Sequence, residues 1–545
     1  MWLKWLPWRF VIKRMVRSRG FLDPFKLAAS LQRFAQPSDI IAPYELVRDG
    51  MVMHARGLIN NRAVQHNMDW VWPFWIERQF DPEKEDFIPR AFSLTHINLS
   101  RRNWTGVGIP DCSRIPVVDP RGLVMPFRDS WTVDAWVEGR GECLLLPSRE
   151  DNAEQTLSTE GNLRVVTETG DQSLHLIAET ELVCTDAIPV CRIRLTADAP
   201  DGGILAVSLR PYNCEGISFI HSIEYNGRKE WTVNEKHRVI ADSVPAGSLM
   251  SSYPDGDVFA RIESGDRNSS DRSVTCDVGM ATAAFLFDIG ENGNAAVTLS
   301  IPLPEMDIEA EEDSCPAVPA DTAWTDAVKG TTRISVPDRR IEYLFRTALR
   351  STLVHTPRET YPGPFTYKRF WFRDAAFIAN TLLYTGNISR VRRLFGTFFP
   401  RQTFRGHFRS QEGEWDSNGQ VLWILDRYCM TADSEPDPEW VKPVIRAADW
   451  IRRKRTRPDG DTPHAGLLPP GFSAEHLGPN DYYFWDDMWG VKGLRAAARM
   501  CSTVNRRKEE KRFIEEADSL LESVEKSLGR TEEIGRASCR ERVCH

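Results

Sequence analysis

The sequence predicts a β + α multidomain protein, in which an N-terminal antiparallel β-sandwich is followed by an incomplete (α/α)6 barrel. Three observations predict this fold class. The chain has 545 residues, more than a single hydrophobic core usually holds, and 41% of them are apolar. Its first half is rich in short alternating segments separated by turn dipeptides. Beyond Asp338 the apolar residues recur with the helical period instead.

Changes in composition and period divide the chain into segments. We expect a basic Trp-rich N-terminal segment at 1–37, a β-sandwich domain at 38–307, a linker at 308–337, a partial barrel at 338–532 and a tail at 533–545. The N-terminal segment could lie on an anionic membrane surface, but packing against the body of the protein is the favoured interpretation. The tail resembles translated sequencing-adapter sequence, so we expect it to be an artefact, with a genuine basic tail as the alternative.

Turn dipeptides mark the strands of the first half. Asn226-Gly227 lies between the segments 217–225 and 230–239 and predicts a tight hairpin, because Asn and Gly readily adopt a positive φ. Two further dipeptides predict turns, Asp201-Gly202 and Asn292-Gly293. Many short strands with little helix between them indicate an antiparallel sandwich.

Composition restricts the partners of the protein. The net charge of -8 argues against nucleic acid as the main partner. The 11 cysteines include no Cys-x-x-Cys pair, so they predict neither a disulfide framework nor a zinc site, and they fit a reducing cytoplasm. We expect no metal or other cofactor. A stretch rich in Asn, Arg and Trp at 60–104 could line a sugar site, but a domain interface is the favoured interpretation.

The helical half alternates between two kinds of segment. Residues 341–349, 388–399 and 441–451 carry apolar side chains on one face, whereas 375–383 and 421–425 are apolar on all sides. A one-sided helix keeps a wet face, and an all-round apolar helix must be buried. The alternation therefore predicts an outer ring of helices around an inner ring, with an irregular helical bundle as the alternative.

Long loops lead into the apolar helices, which places these loops on one face of the predicted barrel. Each loop ends in an aromatic residue and a carboxylate at the start of a helix. The predicted site residues are Trp371, Arg373 and Asp374; Glu414, Trp415 and Asp416; and Trp485, Asp486 and Asp487. Asp is also a favoured helix N-cap, so one such group indicates little. Three converging groups favour a sugar site, in which carboxylates accept bonds from hydroxyls and Trp rings stack on pyranose C–H groups.

The motifs on this face resemble those of the six-hairpin glycosidases, in particular the glucoamylase-like and debranching-glucosidase-like members. Residues 371–374, Trp-Phe-Arg-Asp, are similar to the family's Trp-x-Arg-Asp motif, whose Arg and Asp bind the glucose in the cleavage pocket. Residues 484–487, Phe-Trp-Asp-Asp, are similar to its Trp-Glu-Glu motif, with aspartates in place of the glutamates.

This resemblance implies roles for the site residues. Arg373 and Asp374 would bind the sugar, and Asp486 would protonate the leaving oxygen. Asp487 would complete the catalytic pair and contact the substrate, and an ionised carboxylate beside Asp486 would raise its pKa. Asp416 is similar to a substrate-binding Asp ahead of the family's second inner helix. The other residues assigned to substrate binding are Trp371, Glu414, Trp415 and Trp485.

The resemblance implies a glycoside hydrolase that acts on α-linked glucosides or related oligosaccharides by acid/base, inverting hydrolysis. The family's catalytic base belongs to a late loop without a counterpart here, so we expect this chain by itself to be inactive. Three alternatives stay open: a non-catalytic carbohydrate-binding or scaffold protein, a glycoside phosphorylase, and a terpene cyclase-like toroid whose Asp pair would hold magnesium diphosphate. The expected partner is an oligosaccharide or polysaccharide.

Overall fold

The computed structural model describes residues 104–532, except for 141–142, 151, 186–187, 214–215, 267–268, 304–314, 317, 366–367, 412 and 472–479. Three predicted features fall wholly or almost wholly outside the described residues: the N-terminal segment 1–37, the Asn-, Arg- and Trp-rich stretch as far as residue 103, and the tail 533–545.

The described chain separates into two compact units. A β unit extends to Arg358 and includes Gly363–Lys368, whereas a helical unit contains Glu359–Pro362 and the chain from Arg369 onward. The strands are, in chain order, β1 Thr105–Gly106, β2 Val117–Val118, β3 Val124–Met125, β4 Thr132–Gly139, β5 Leu144–Leu145, β6 Glu154–Ser158, β7 Arg164–Gly170, β8 His175–Thr185, β9 Ile188–Asp198, β10 Gly203–Arg210, β11 Tyr212–Asn213, β12 Gly216–Ile217, β13 Ser222–Tyr225, β14 Glu230–Val233, β15 His237–Ala241, β16 Gly247–Ser251, β17 Ser273–Thr275, β18 Thr282–Ile289 and β19 Asn294–Pro302.

Two antiparallel sheets make up most of the β unit. One sheet has eight strands, in the order β1-β2-β3-β4-β10-β18-β16 with β5 paired to β4. The other has nine strands, in the order β17-β13-β14-β15-β19-β9-β8-β7-β6. Buried and partly exposed side chains alternate along β8, as expected for a strand with one face on a core. The rings of Trp231 on β14 and Phe285 on β18 contact each other between the sheets, so the predicted β-sandwich is confirmed.

The predicted hairpin at 226–227 is confirmed, but the predicted tight turn is wrong. Tyr225 pairs with Trp231, so the loop is wider, and only Gly227 of the two has a positive φ, of 78°. The segment 230–239 was expected to be one strand. It contains two instead, β14 and the first part of β15. Between them Asn234 and Glu235 have φ angles of 52° and 59°. This left-handed pair turns the chain back, and β15 pairs antiparallel with β14.

A disulfide joins Cys112 to Cys315 across 203 residues of sequence. The sequence analysis did not anticipate this bond, because a single pair at so long a separation leaves no spacing signal. Disulfides are typical of oxidising compartments, so the pair gives no support to the expected reducing cytoplasm, which stays a prediction.

The helices are, in chain order, α1 Val258–Glu263, α2 Ala320–Val328, α3 Arg339–Val354, α4 Phe372–Tyr384, α5 Ile388–Phe398, α6 Ser417–Thr431, α7 Pro438–Lys454, α8 Phe484–Thr503 and α9 Arg507–Glu532. Helices α2 and α3 belong to the β unit. Trp324 of α2 donates a hydrogen bond to Asn162 at 3.1 Å, and the hydroxyl of Tyr343 on α3 accepts one from Leu157 N at 2.8 Å. None of the helices described here combines the length and apolarity that a membrane crossing requires.

The helical unit contains three hairpins, α4–α5, α6–α7 and α8–α9. Helix α6 lies between α4 and α8, and almost all of its residues are buried. Helix α5 instead buries one face, through Val391, Leu394, Phe395 and Phe398. The predicted all-round burial is found for α6, but it is wrong for α4, which exposes Phe377 and Tyr384 on one face. Closure into a six-hairpin ring stays a prediction.

Helices α6 and α8 approach each other at two glycines. A Cβ atom on Gly493 would lie 2.5 Å from Gly419 Cα, and a Cβ atom on Gly419 would overlap the main-chain oxygen of Trp489. Neither position accepts a side chain unless the helices move apart, because real Cβ atoms do not approach other atoms this closely.

Asp119 is a buried carboxyl of the β unit. It is 1% exposed, and its Oδ1 accepts hydrogen bonds from Arg121 N at 2.8 Å and Leu123 N at 2.9 Å. Burial raises the pKa of Asp119 from 3.8 to about 7, against the lowering effect of the two N–H donors. The folded-state pKa thus lies above the unfolded value. The stability linked to this group is therefore fully present below pH 3.8 and is lost as the pH rises through about 7.

Asp119→Asn should flatten this pH dependence. Asparagine keeps the oxygen that accepts both N–H bonds, but it does not ionise. We expect the free energy of unfolding of the wild type to fall between about pH 5 and about pH 8, and that of the variant to fall less. Urea titrations at both pH values measure this, with Asp201→Asn in an exposed turn as the control. Equal slopes for Asp119→Asn and the wild type would contradict the prediction.

Candidate active site

One carboxylate oxygen joins the starts of the helices α4, α6 and α8. Asp416 Oδ2 accepts a hydrogen bond from Arg373 Nε on α4 at 2.9 Å and one from Trp485 Nε1 on α8 at 2.7 Å. Gln420 Nε2, on α6, donates a third at 2.8 Å. Asp416 precedes α6 and is 1% exposed, but its side chain does not cap that helix. The carboxylate therefore connects helices to one another.

Arg373 brings a second acid to the same place. Its Nη2 lies 3.9 Å from Glu414 Oε1, and its guanidinium carbon lies 5.8 Å from the centroid of the Trp485 ring. Glu414 is 5% exposed, whereas 22% of the Arg373 side chain is exposed and reaches solvent. Asp374 is half-buried in the first turn of α4. The predicted Arg-Asp motif thus places a cation at the start of a helix, with acids close to it.

Asp486 lies in the first turn of α8 and is 5% exposed. Burial is the main reason why its pKa is well above the ordinary value, and the charges of Asp416, Asp487 and Glu414 raise it further. Arg373 lowers this pKa without offsetting the other effects. The carboxyl therefore keeps its proton to a higher pH than an exposed aspartic acid does, which is the property that a general acid needs.

Asp487 faces a different part of the helical unit. It is 1% exposed, and its Oδ1 accepts a hydrogen bond from Leu468 N at 2.8 Å. Burial raises the pKa of Asp487 to about 7, while the Leu468 N–H and the charge of Arg455 act to lower it. The two adjacent aspartates thus differ in their main interactions: Asp486 lies among the acids around Arg373, whereas Asp487 accepts a main-chain hydrogen bond from Leu468.

The three predicted tryptophans differ in exposure. Trp485 is 47% exposed, whereas Trp371 is 6% and Trp415 is 3% exposed. The guanidinium of Arg369 lies 4.2 Å from the centroid of Trp371, and Lys454 Nζ lies 3.8 Å from that of Trp415. The expectation that Trp371 and Trp415 stack on a sugar is therefore corrected. Both rings are buried and pack against cations of the protein, so of the three only Trp485 presents an open face.

A row of aromatic rings continues from Trp485 along the inner helices. The Trp489 ring lies 5.8 Å from Trp485, 5.2 Å from Trp423 and 5.8 Å from Phe377, between ring centroids. Phe377 is 42% exposed. Exposed apolar rings thus adjoin the acids at the helix starts, an arrangement that suits a ligand with both hydroxyl and C–H faces.

Three residues of this region were not predicted. Gln420 follows Asp416 by four positions on a helix, a spacing that places both side chains on one face and could have identified it. His407 is 5% exposed and stacks on Trp450 at 4.3 Å, and burial lowers its pKa to about 3, so the ring is neutral. Gly471 packs its main chain against Asp486. No spacing signal connects the last two residues to the site, because loop packing brings them there.

The fold has counterparts among solved structures. The chain matches a bacterial glucoamylase, crystallised in complex with acarbose, over 77% of this chain and 66% of that one, with a TM-score of 0.54 and 12% sequence identity. The fold of this chain is similar to that of the glucoamylase over the matched part. The resemblance predicted from the motifs is thereby confirmed at the level of the fold.

A family 92 α-mannosidase of Bacteroides thetaiotaomicron matches over 76% of this chain and 62% of that one, with a TM-score of 0.35 and 10% identity. The chain thus spans less than two thirds of the length of either structure. No protein-family model and no curated protein sequence matches it.

Trp485→Phe should weaken the connection between α8 and α6. The variant keeps an aromatic ring but removes the N–H donor to Asp416. We expect the free energy of unfolding of the helical unit to fall by about 1.5–3 kcal/mol, because a hydrogen bond to a charged group contributes this much. Denaturant titrations followed by circular dichroism measure the loss.

Trp423→Phe is the matched control for Trp485→Phe. Trp423 belongs to the same aromatic row, but its indole nitrogen makes no hydrogen bond to any residue that the structure describes. An equal loss of stability in both variants would show that ring size, and not the bond to Asp416, accounts for the effect.

Proposed function

We propose that the protein is a glycoside hydrolase that acts on α-linked glucosides or related oligosaccharides, with Asp486 as the general acid. One observation carries the proposal: a buried carboxyl with a raised pKa lies beside the Arg373–Asp416 ion pair and the exposed ring of Trp485. A protonated acid, groups that exchange hydrogen bonds with hydroxyls and an open aromatic face are together suited to holding and cleaving a sugar. The glucoamylase fold is in keeping with this chemistry.

In the proposed reaction Asp486 donates its proton to the glycosidic oxygen as the bond from that oxygen to the anomeric carbon breaks. Positive charge develops on the sugar ring, and water attacks the anomeric carbon from the opposite face, which inverts its configuration. Asp486 is left as a carboxylate, and the proton lost by the water goes to a second carboxylate, to which we assign no residue. Arg373 and Asp374 would bind hydroxyls of the sugar that is cleaved.

Two alternatives lack a supporting observation. A magnesium diphosphate site would need Asp486 and Asp487 to face one ion, but Asp487 binds Leu468 N instead. A phosphorylase would need a cation for inorganic phosphate. In the loop that leads into α6, Arg401 is paired with Glu359, whereas Arg405 and Arg409 leave this alternative open. A non-catalytic sugar-binding protein is the remaining alternative, and turnover distinguishes it from a hydrolase.

Asp486→Asn should abolish most hydrolysis of an unactivated glycoside by the complete enzyme. Asparagine keeps the size of the side chain but has no acidic proton, and loss of a positioned acid lowers the rate by about 100- to 10,000-fold. We expect a smaller loss on an aryl glycoside with a good leaving group, because such a leaving group needs little protonation. Steady-state kinetics on both substrates measure the difference.

Asp374→Asn is the comparison variant. We expect it to weaken the binding of both substrates to the same extent, seen as an equal rise in KM. If Asp486→Asn is impaired equally on the two glycosides, or is not impaired, Asp486 is not the acid. Sugar binding without any turnover by the wild type would instead support the non-catalytic alternative.

A further inference from the structure

We propose that the segment Leu467–Gly471 is a strap that seals Asp486 from water, and that Asp487 is the positioning residue that fastens this strap to α8. The inference deepens the proposed function, on which it rests for the role of Asp486. It gives the two adjacent aspartates different tasks, since Asp486 touches the sugar and Asp487 acts through the strap.

Hydrogen bonds hold the strap along its length. Leu467 O accepts a bond from Thr456 N at 2.8 Å, and Leu468 N donates to Asp487 Oδ1 at 2.8 Å. At the other end Pro470 O accepts a bond from the indole of Trp415 at 3.1 Å. Among these contacts, the Asp487 carboxylate is the one that ties the strap to the helix that carries Asp486.

A short antiparallel bridge fixes the last residue of the strap. Gly471 N donates to Asp481 O at 2.8 Å, and Asp481 N donates to Gly471 O at 3.2 Å. Asp481 lies shortly before α8, so both ends of the strap are tied to the start of this helix. The main chain of Gly471 is thereby held in one place relative to Asp486.

Gly471 shows how closely the strap covers the acid. A Cβ atom at this position would lie 2.9 Å from Asp486 Oδ2 and 2.7 Å from Gly413 O. The absence of a side chain therefore lets the main chain itself pack against the carboxyl. Water is excluded from that side of Asp486, which is 5% exposed in all.

Water exclusion matters because burial is the largest cause of the raised pKa of Asp486. Neighbouring charges also contribute. Among the residues that the structure describes, the titratable groups that act on Asp486 or are acted on by it are Asp416, Glu414, Arg373, Asp487 and Tyr483. Loosening the strap would hydrate the carboxylate without removing any of these groups, so the pKa of Asp486 should fall towards that of an exposed aspartic acid.

Three variants of the whole chain test the strap. Asp487→Asn retains an oxygen that can accept the bond from Leu468 N, whereas Asp487→Ala removes it. Both variants lack the charge of Asp487, so the difference between them isolates the fastening. Gly471→Ala keeps both carboxylates and displaces the strap by contact with Asp486 and Gly413.

The readout is the titration of the Asp486 carboxyl by NMR in protein with 13C-labelled aspartate, with Asp486→Asn to assign the signal. We expect the midpoint of Asp486 to fall by about 1–2 pH units in Gly471→Ala, and to be lower in Asp487→Ala than in Asp487→Asn. Circular dichroism establishes that each variant is folded. The proposal is overturned if the titration midpoint of Asp486 in Gly471→Ala equals that of the wild type. It is also overturned if the midpoint of Asp486 is the same in Asp487→Ala and Asp487→Asn.

The NMR titration needs no substrate. It therefore tests the strap independently of the proposed function. If the chain cleaves no glycoside but the midpoints move as expected, the strap stands and the assignment of the reaction falls. Where turnover is measurable, the basic limb of the pH–rate profile should move to lower pH in Gly471→Ala, because the protonated acid is lost earlier. A merely structural defect would lower the rate at every pH without moving that limb.

Discussion

The helical unit depends on one carboxylate oxygen, Asp416 Oδ2. Its three donors come from three helices, so a single buried atom sets the positions of Arg373, Gln420 and Trp485 relative to one another. Main-chain bonds inside a helix cannot do this, because they fix residues of that helix only. Arg373 and Trp485 are therefore both held by Asp416. Their relative position depends on this carboxylate and not on flexible loops.

The same anchor concentrates negative charge at the helix starts. Asp416, Glu414 and Asp486 are all buried, and Arg373 is the cation that faces them. Like charges in a site of low polarity cannot all ionise without a large free-energy cost, so one carboxyl retains its proton. Asp486 is that carboxyl because it has neither the three donors of Asp416 nor the close approach of Arg373. Asp486 thus acts as the acid because the hydrogen bonds and the ion pair in this region go to its neighbours.

Local signals in the sequence were reliable, and distant contacts were not. The hairpin at Asn226-Gly227 and the change from strands to helices along the chain follow from φ preferences and apolar periodicity, which the chain carries residue by residue. The break at Asn234 was missed because the strand pattern continues through it. The Cys112–Cys315 bond and the packing of Gly471 on Asp486 join segments that no local pattern connects. The site residues were found by type, but the burial of Trp371 and Trp415 depends on tertiary neighbours.

The contact between Gly419 and Gly493 has a consequence for how such a site can diverge in evolution. Asp416 lies just before Gly419 on α6, and Asp486 lies one turn before Trp489 on α8, whose main chain Gly419 approaches. The spacing of the two acids therefore depends on one main chain resting on another. Most side-chain replacements in the surrounding loops would not change this distance between the two acids. Substitutions in the loops can therefore alter specificity while the distance between the acids is kept, because that distance depends on two residues without side chains.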